Sequence, residues 1–176
     1  MIQIRERDLP TRELYSLAEA VVSEARARSV RVLVNDRADV AACASAGVHL
    51  TTRSLPARVV REVFGSEMAL GVSTHNIEEA MAAEQGGADF VVFGPVFETE
   101  SKRAFGPPVG IEALRRVSGR LSIPVIALGG IKAGNFHLAL EAGASGVAAI
   151  SLFAGSEDVA RLVKKIKDFE PAGPGS

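Results

Sequence analysis

Short apolar runs recur along the chain, and the segments between them carry apolar residues at helical spacing. The runs are rich in Val and Ile, most are too short for helices, and turn-forming residues bound them, which is typical of buried strands. We predict seven strands, at Ile2–Ile4, Val30–Val34, Gly47–Leu50, Ala69–Val72, Phe90–Phe93, Val125–Leu128 and Gly146–Ile150. The segments between the runs predict amphipathic helices, for example one with Leu14, Ala18 and Val22 on a single face.

Strands that alternate with helices predict βαβ crossovers, a parallel sheet and an α/β fold class. Repeats of roughly 20–30 residues favour a TIM (β/α)8-type barrel, with a doubly wound open sheet as the alternative. Polar or glycine residues follow almost every predicted strand instead of a single switch point, which favours the barrel. Only seven βα units are visible, so a first strand and helix are expected to be missing. We expect one barrel domain over residues 1–169 and a flexible Gly- and Pro-rich tail over residues 170–176.

The composition narrows the classes of partner. The 176 residues carry a net charge of −1, which argues against nucleic acid or a membrane surface. No apolar run approaches the ~18 residues of a membrane span. The single cysteine, Cys43, excludes an internal disulfide, is expected to be a buried packing residue, and fits a cytoplasmic localisation. The exposed edges of an incomplete barrel would favour association into a homo-oligomer.

Hydroxyl and ammonium groups follow the strand predicted at Phe90–Phe93. That apolar run ends in a Gly-Pro turn, and Thr99, Ser101 and Lys102 come soon after it. A parallel strand that delivers such groups to the loop at its carboxyl end can build an oxyanion or phosphate clamp. A strand followed by a solvated polar loop is the alternative interpretation. His49, at the end of another apolar run, is interpreted as a satisfied interior histidine.

Seven motifs, in order along the chain, resemble those of one enzyme family. They are Gln3-Ile4-Arg5-Glu6-Arg7-Asp8, Val34-Asn35-Asp36-Arg37, Gly47-Val48-His49-Leu50, Gly71-Val72-Ser73-Thr74-His75, Phe93 to Lys102, Ala127-Leu128-Gly129-Gly130-Ile131 and Val147-Ala148-Ala149-Ile150-Ser151. From about Gln3 to Phe153 the chain resembles the thiamin phosphate synthases and their close relatives, the TenI-like thiazole tautomerases. The resemblance implies a (β/α)8 barrel. For a synthase it also implies a transferase of thiamin biosynthesis, which joins hydroxymethylpyrimidine diphosphate to thiazole phosphate with release of pyrophosphate.

The resemblance implies roles for individual residues as well. Lys102, Ser73 and Arg5 are expected to be catalytic, because charge on the leaving diphosphate has to be stabilised. Asp36 is the expected ligand of Mg²⁺, the cofactor of a synthase. The expected substrate-binding residues are Gln3, Arg7, Asn35, Thr99, Ser101, Gly110, Gly129, Gly130, Ile150 and Ser151. The two adjacent glycines would bring backbone amides close to the phosphate of the thiazole, although a tight turn needs glycine as well.

The chain departs from the pattern of both branches of the family. Ser54 stands where synthases carry an acidic second Mg²⁺ ligand, and Arg7 stands where the family usually has Lys. Pro95 replaces the histidine that tautomerases use for proton transfer. Three interpretations therefore stay open: a synthase, a metal-independent TenI-like tautomerase that isomerises thiazole carboxylate phosphate, and a non-catalytic relic that binds thiazole phosphate.

Overall fold

The computed structural model describes residues 1–99 and 107–171. Contacts divide the chain into two compact units. The first comprises Met1–Ser73 and Ala82–Phe90, and the second comprises Thr74–Met81 and the chain from Val91 onward. The single barrel domain expected over residues 1–169, with its flexible tail, stays a prediction.

Four parallel strands begin the chain and form the sheet of the first unit. These strands are β1 at Ile2–Ile4, β2 at Val32–Asn35, β3 at Gly47–Leu50 and β4 at Leu70–Thr74. Helices α1 at Thr11–Arg26, α2 at Ala38–Cys43 and α3 at Ala57–Phe64 lie between them along the chain. Each strand pairs with the next, and the register places Ile4 beside Val34 and Val34 beside Val48. One face of these strands is therefore continuously apolar.

The core of the first unit is formed by this apolar face and the helices that cover it. Leu14 and Ala18 of α1 are buried, as the helical spacing predicts, and Val60 of α3 is buried as well. They belong to the same cluster of buried side chains as Val34 and Val48. Burial of each Leu or Val side chain stabilises the fold by about 1.5–3 kcal/mol. The core thus holds the strands in one register, and with them the residues at their carboxyl ends.

Three further strands follow along the chain. The elements are α4 at Ile77–Gln85, β5 at Phe90–Phe93, α5 at Gly110–Arg120, β6 at Val125–Leu128, α6 at Phe136–Glu141, β7 at Gly146–Ala148, α7 at Ser151–Ala154 and α8 at Val159–Lys167. Strands β5, β6 and β7 are parallel neighbours in chain order. Leu114 and Val117 of α5, and Phe136 and Ala139 of α6, are buried in the second unit.

Backbone hydrogen bonds also tie both flanks of β5 to β4. In the first unit the N–H of Asp89 donates to the carbonyl of Leu70, at 2.8 Å. In the second unit the N–H of Gly94 donates to the carbonyl of Thr74, at 3.1 Å.

The prediction of seven strands is confirmed within the described residues. Helices α2 and α7 are not predicted by the sequence pattern, because both are short and α2 consists mainly of small residues, so neither shows a clear apolar face. The prediction for Cys43 is wrong, since this residue is exposed. Helix α2 buries Val40 and Ala41, and this leaves its last residue, Cys43, on the side away from the core. No helix in the described part of the chain is long and apolar enough to span a membrane.

Candidate active site

Polar side chains from four neighbouring strands share one face of the sheet in the first unit. Asn35 is paired with His49, and His49 is paired with Gly71, which lies two residues before Ser73. Gln3 is paired with Leu33, which lies two residues before Asn35. Because side chains alternate between the faces of a strand, all four polar residues project from the same face. We call Gln3, Asn35, His49 and Ser73 the strand-end row.

Hydrogen bonds connect this strand-end row across the first unit. The amide of Gln3 donates from Nε2 to Oδ1 of Asn35, at 2.9 Å. The backbone N–H of Asp36 donates to the carbonyl of His49, also at 2.9 Å. Oγ of Ser73 lies 3.0 Å from Nε2 of His49. Three of the four residues in the row, Gln3, Asn35 and Ser73, are expected site residues, so the structure brings together groups that are far apart in the sequence.

His49 is the residue of this row that sequence reasoning did not assign to the site. Its side chain is only 5% exposed. Burial, with a smaller contribution from the charge of Arg5, lowers the pKa of His49 to about 4, so the ring is neutral at neutral pH. Its Nδ1 has no hydrogen-bond partner among the described residues. The interpretation as an interior histidine is correct for burial, but the contact with Ser73 is not visible in the sequence because 24 residues separate the two.

The charged candidates of the first unit are exposed beside this row. Arg5 and Arg7 follow β1, and Asp36 follows β2. Asp36 has a φ of +63°, a left-handed conformation that Asp tolerates better than most residues. The turn aims the chain from β2 toward α2 and leaves the carboxylate of Asp36 accessible to solvent. An accessible carboxylate can contribute a ligand to a metal ion, and exposed guanidinium groups can bind phosphate oxygens.

Ser54 is engaged within its own loop. Its Oγ accepts a hydrogen bond from the backbone N–H of Thr51 at 2.7 Å and lies 3.1 Å from Oγ1 of Thr51. These contacts hold the turn after β3, and they occupy the hydroxyl that stands in place of the acidic ligand of synthases. No group of three or more His, Cys, Asp or Glu residues in the described ranges could hold a metal ion. A Mg²⁺ ion at the end of β2 would have the exposed carboxylate of Asp36 as a protein ligand and would take its other oxygens from water and substrate.

The second unit contains a glycine turn packed beneath the loop that follows β5. The N–H groups of Val96 and Phe97 donate to the carbonyls of Leu128 and Gly129, at 2.8 and 3.0 Å. Gly129 and Gly130 have φ values of +96° and +64°. A Cβ on Gly129 would lie 2.5 Å from Cα of Pro95. Glycine is therefore required here by the positive φ values and by close packing against the loop that follows β5.

Other candidate residues of the second unit are Ile150, Ser151 and Gly110. Leu128, at the end of β6, is paired with Ala148 at the end of β7. Gly129-Gly130 and Ile150-Ser151 therefore follow neighbouring strands at the same edge. Ile150 is 76% exposed, and Ser151 begins α7. Gly110, with a φ of +81°, begins α5 directly after Val109, whose N–H donates to the carbonyl of Pro95 at 2.8 Å.

Part of the predicted anion clamp falls on residues that the structure does not describe. Thr99 is half-buried at the end of the first described range. Ser101 and Lys102 lie outside the described residues. Their expected roles in binding the leaving diphosphate stay predictions.

The alternation of seven parallel strands with helices, across the residues that the structure describes, belongs to the (β/α)-barrel fold class, as predicted. A solved structure titled thiamine phosphate pyrophosphorylase, from Pyrococcus furiosus, superimposes with a TM-score of 0.83 at 34% sequence identity. The match covers 94% of this chain and 79% of that chain. This likeness confirms the barrel class and excludes the doubly wound sheet.

The family follows from sequence comparison. A family model described as thiamine monophosphate synthase matches residues 1–153. A Geobacter sulfurreducens relative, named provisionally as a thiamine-phosphate synthase, is 49% identical over 89% of this chain and 74% of its own. The thiamine-phosphate synthase of Moorella thermoacetica is 40% identical over 95% of this chain and 80% of its own. The chain therefore belongs to the thiamine monophosphate synthase family, and it is a transferase by this membership.

Proposed function

We propose that the protein joins hydroxymethylpyrimidine diphosphate to thiazole phosphate and releases pyrophosphate, so that it forms thiamin phosphate. The observation that carries this proposal is the strand-end row, in which Gln3, Asn35, His49 and Ser73 are linked by hydrogen bonds or neighbouring strand contacts. Relatives named thiamine-phosphate synthase support the same activity. The amide pair Gln3–Asn35 offers both donors and acceptors, which suits the ring nitrogens and amino group of a pyrimidine.

The reaction breaks the carbon–oxygen bond at the pyrimidine methylene, and the bonding electron pair leaves with the diphosphate. Groups that stabilise this growing negative charge lower the barrier. Arg5 and Arg7 would bind diphosphate oxygens through their guanidinium forks, and the hydroxyl of Ser73 would donate to the same leaving group. Lys102, with the hydroxyls of Thr99 and Ser101, would supply further positive charge and donors. Arg7 in place of the lysine of the family changes the contact from a point charge to a planar fork.

Magnesium is proposed as the cofactor, held by Asp36. When bound, Mg²⁺ would neutralise charge on the diphosphate oxygens. Asp36 is exposed and follows β2, whereas the hydroxyl of Ser54 is used within its own loop. The site therefore relies on one carboxylate, and we expect the affinity for the ion to depend on the diphosphate that brings the other oxygens.

The phosphate of the thiazole is proposed to bind in the second unit. Gly129 and Gly130 form a tight turn packed against the loop after β5, and Ile150-Ser151 follow the neighbouring strand. Gly110 would shape the loop beside this turn, because its positive φ fixes the entry into α5. Backbone amides bind an anion without a side chain that has to be ordered first.

A metal-independent tautomerase is the second candidate, and the residue after Gly94 argues against it. Pro95 stands where that branch carries its histidine, and the ring of proline can neither accept nor donate the transferred proton. The carbonyl of Pro95 instead accepts a hydrogen bond from Val109, and Pro95 packs against Gly129. A non-catalytic relic would keep the glycine turn and bind thiazole phosphate, but it would catalyse neither reaction.

A thiamin phosphate assay on the purified chain distinguishes the three candidate functions: synthase, tautomerase and non-catalytic relic. We expect product from pyrimidine diphosphate and thiazole phosphate with Mg²⁺, and none in excess chelator. Asp36→Asn should raise the Mg²⁺ concentration needed, and Lys102→Ala should abolish turnover. Lys164→Ala, an exposed lysine of α8, is the matched control and should behave as the wild type.

Two other outcomes of these assays would each identify one of the alternative functions. Isomerisation of the thiazole carboxylate phosphate in chelator would establish the tautomerase. Binding of thiazole phosphate by folded protein, with neither reaction, would establish the relic and overturn the proposal.

A further inference from the structure

We infer that His49 is a positioning residue for Ser73: it donates a hydrogen bond from Nε2–H to Oγ of Ser73, and this directs the hydroxyl proton of Ser73 toward the leaving diphosphate. The inference rests on the proposed function, in which Ser73 contacts that group. It assigns a role to a histidine that the motif comparison leaves as an interior residue.

The neutral ring of His49 carries a single N–H, which can be on either of its two nitrogens. His49 is only 5% exposed, and a charged ring would bury an N–H donor at Nδ1 that has no partner among the described residues, so the ring is neutral, with a proton on one nitrogen and a lone pair on the other. The two nitrogens differ in their surroundings. Nε2 lies 3.0 Å from Oγ of Ser73, whereas Nδ1 is buried without a partner in the described part of the chain.

The surroundings of the two ring nitrogens favour the tautomer of His49 with its proton on Nε2. A proton on Nδ1 would leave a buried N–H donor without an acceptor, and such orphaned donors are rare in folded proteins. A proton on Nε2 leaves only a lone pair unsatisfied on Nδ1, which is the less uncommon case. The Nε2–H tautomer therefore fits the surroundings of His49.

The tautomer of His49 fixes the direction of its hydrogen bond with Ser73. With Nε2 as the donor, Oγ of Ser73 accepts, and its own proton remains available for another acceptor. Oxygens of an ionised diphosphate are acceptors, so they require a donor from Ser73. In the opposite tautomer, Ser73 would donate to His49 and present its lone pairs to the anion, which is repulsive.

The backbone of β3 holds His49 in place for this role. Its carbonyl accepts the N–H of Asp36 at 2.9 Å, and the residue is paired with Asn35 on one side and Gly71 on the other. A side chain that is 5% exposed on a paired strand loses little further freedom when it orients a neighbour.

The test combines four variants in the thiamin phosphate assay: Ser73→Ala, His49→Phe, the double variant, and His49→Gln, which keeps an amide donor of similar reach. We expect Ser73→Ala to lower kcat by about 100-fold. His49→Phe should lower kcat by about tenfold or more, with KM for thiazole phosphate unchanged. The double variant should be no slower than Ser73→Ala, and His49→Gln should recover most of the loss. His137→Phe, on helix α6, is the matched histidine control and should keep wild-type kcat.

Several results would overturn the inference while leaving the synthase intact. These are an active wild type with unchanged kcat in His49→Phe, independent losses that multiply in the double variant, or no recovery in His49→Gln. An inactive wild type would instead count against the proposed function.

A measurement on the wild-type protein covers the case in which a variant does not fold. In ¹⁵N-edited NMR spectra of the wild type near pH 7.5, with the ring signals of His49 assigned through bonds from its own backbone, we expect the pattern of the Nε2–H tautomer. The Nδ1–H pattern would overturn the inference whatever the activity.

Discussion

At the scale of single residues, the chemistry of the first unit depends on how His49, Ser73 and their neighbours satisfy their hydrogen bonds. His49 is buried and neutral, and Ser73 is its contact on the adjacent strand. Ser54 shows the opposite case, because its hydroxyl is used within its own turn. Residue type alone does not tell these cases apart, since both serines follow an apolar run near a strand end.

The first prediction is a pH dependence of stability that His49 causes. The pKa of His49 is lowered to about 4 in the folded protein, from about 6.5 in the unfolded chain. Below pH 6.5 the unfolded chain therefore binds a proton that the folded protein does not. The stabilisation is complete above pH 6.5 and is lost as the pH falls toward 4, by up to ~3 kcal/mol.

Urea unfolding of the wild type and of His49→Gln at pH 7, 5.5 and 4.5 measures this effect. The free energy of unfolding of the wild type should decrease relative to the variant as the pH falls. His75 and His137 are present in both proteins, so their titration cancels. Curves that run parallel over this range would contradict the buried neutral state of His49.

The second prediction concerns the glycine turn after β6. Gly129→Ala places a Cβ 2.5 Å from Cα of Pro95 at a φ of +96°, so we expect destabilisation of about 1–3 kcal/mol. Binding of thiazole phosphate, measured by calorimetry, should weaken together with stability. The matched control is Gly119→Ala in α5, where a Cβ meets no atom within 4 Å and helix propensity improves by up to ~1 kcal/mol. Equal stability of the two variants would show that the turn is not under this constraint.

At the scale of elements, helix α4 illustrates how the chain starts a helix directly after a site strand. The N–H of Glu79 donates to Oδ1 of Asn76 at 2.8 Å, and the carboxylate of Glu79 accepts from the N–H of His75 at 2.8 Å. Asn76 therefore caps α4, and Glu79 reaches back to the N–H of His75, one residue before the cap, and not to that of Asn76 as in a standard capping box. The cap begins α4 only three residues after Ser73, so the chain leaves the strand-end row sharply.

The third prediction tests this cap. Asn76→Ala should lower the free energy of unfolding by about 1 kcal/mol, because an orphan N–H of the first turn loses its acceptor. Glu78→Ala, an exposed residue of the same turn, is the control and should change it by only about 0.3–1 kcal/mol through the helix dipole. Urea denaturation at pH 7 measures both. A larger loss in Glu78→Ala than in Asn76→Ala would contradict the capping role.

At the scale of the whole molecule, the first unit is built from two separated segments of the chain. Met1–Ser73 and Ala82–Phe90 belong together, and Arg61 of α3 connects them. Its guanidinium donates to the carbonyls of Gly65, Met68 and Gly87 and to the carboxylate of Asp89. That carboxylate also accepts the N–H of Leu70 at 2.7 Å. One partly buried side chain thus joins α3 and the segment before β5 to the start of β4.

The fourth prediction is that Arg61→Lys destabilises the protein by about 2 kcal/mol. A lysine keeps the charge but cannot satisfy several carbonyls in a fixed fork. Arg58→Lys, in an exposed pair with Glu62, is the control and should stay within about 0.5 kcal/mol of the wild type. Hydrogen exchange should also show faster opening of residues 82–90 in Arg61→Lys alone. Unchanged exchange there would mean that Arg61 does not hold this segment.

The alternation of apolar runs with helical segments predicted the barrel class. A strand that is buried on both faces is a short apolar run, and an amphipathic helix repeats its apolar residues at helical spacing, so both can be recognised from neighbouring residues. The strands near Ile2, Gly47, Phe90 and Val125 start where the pattern places them. The paired glycines after β6 were also visible, since their conformation and their packing both exclude a side chain. Assembly into a homo-oligomer and a cytoplasmic location stay predictions.

What the sequence by itself determined is therefore the local character of each segment: strand, helix, or turn with a candidate group. The tertiary structure decided which of these groups meet. The contact between His49 and Ser73 spans 24 residues, and the bond between Gln3 and Asn35 spans 32. Both depend on the register between parallel strands, which the packing of the helices sets and which no local pattern encodes. The contact between Ser54 and Thr51 is local, but it depends on the backbone geometry of one turn, which residue types alone leave open. The structure likewise shows that Asp36 is exposed to solvent.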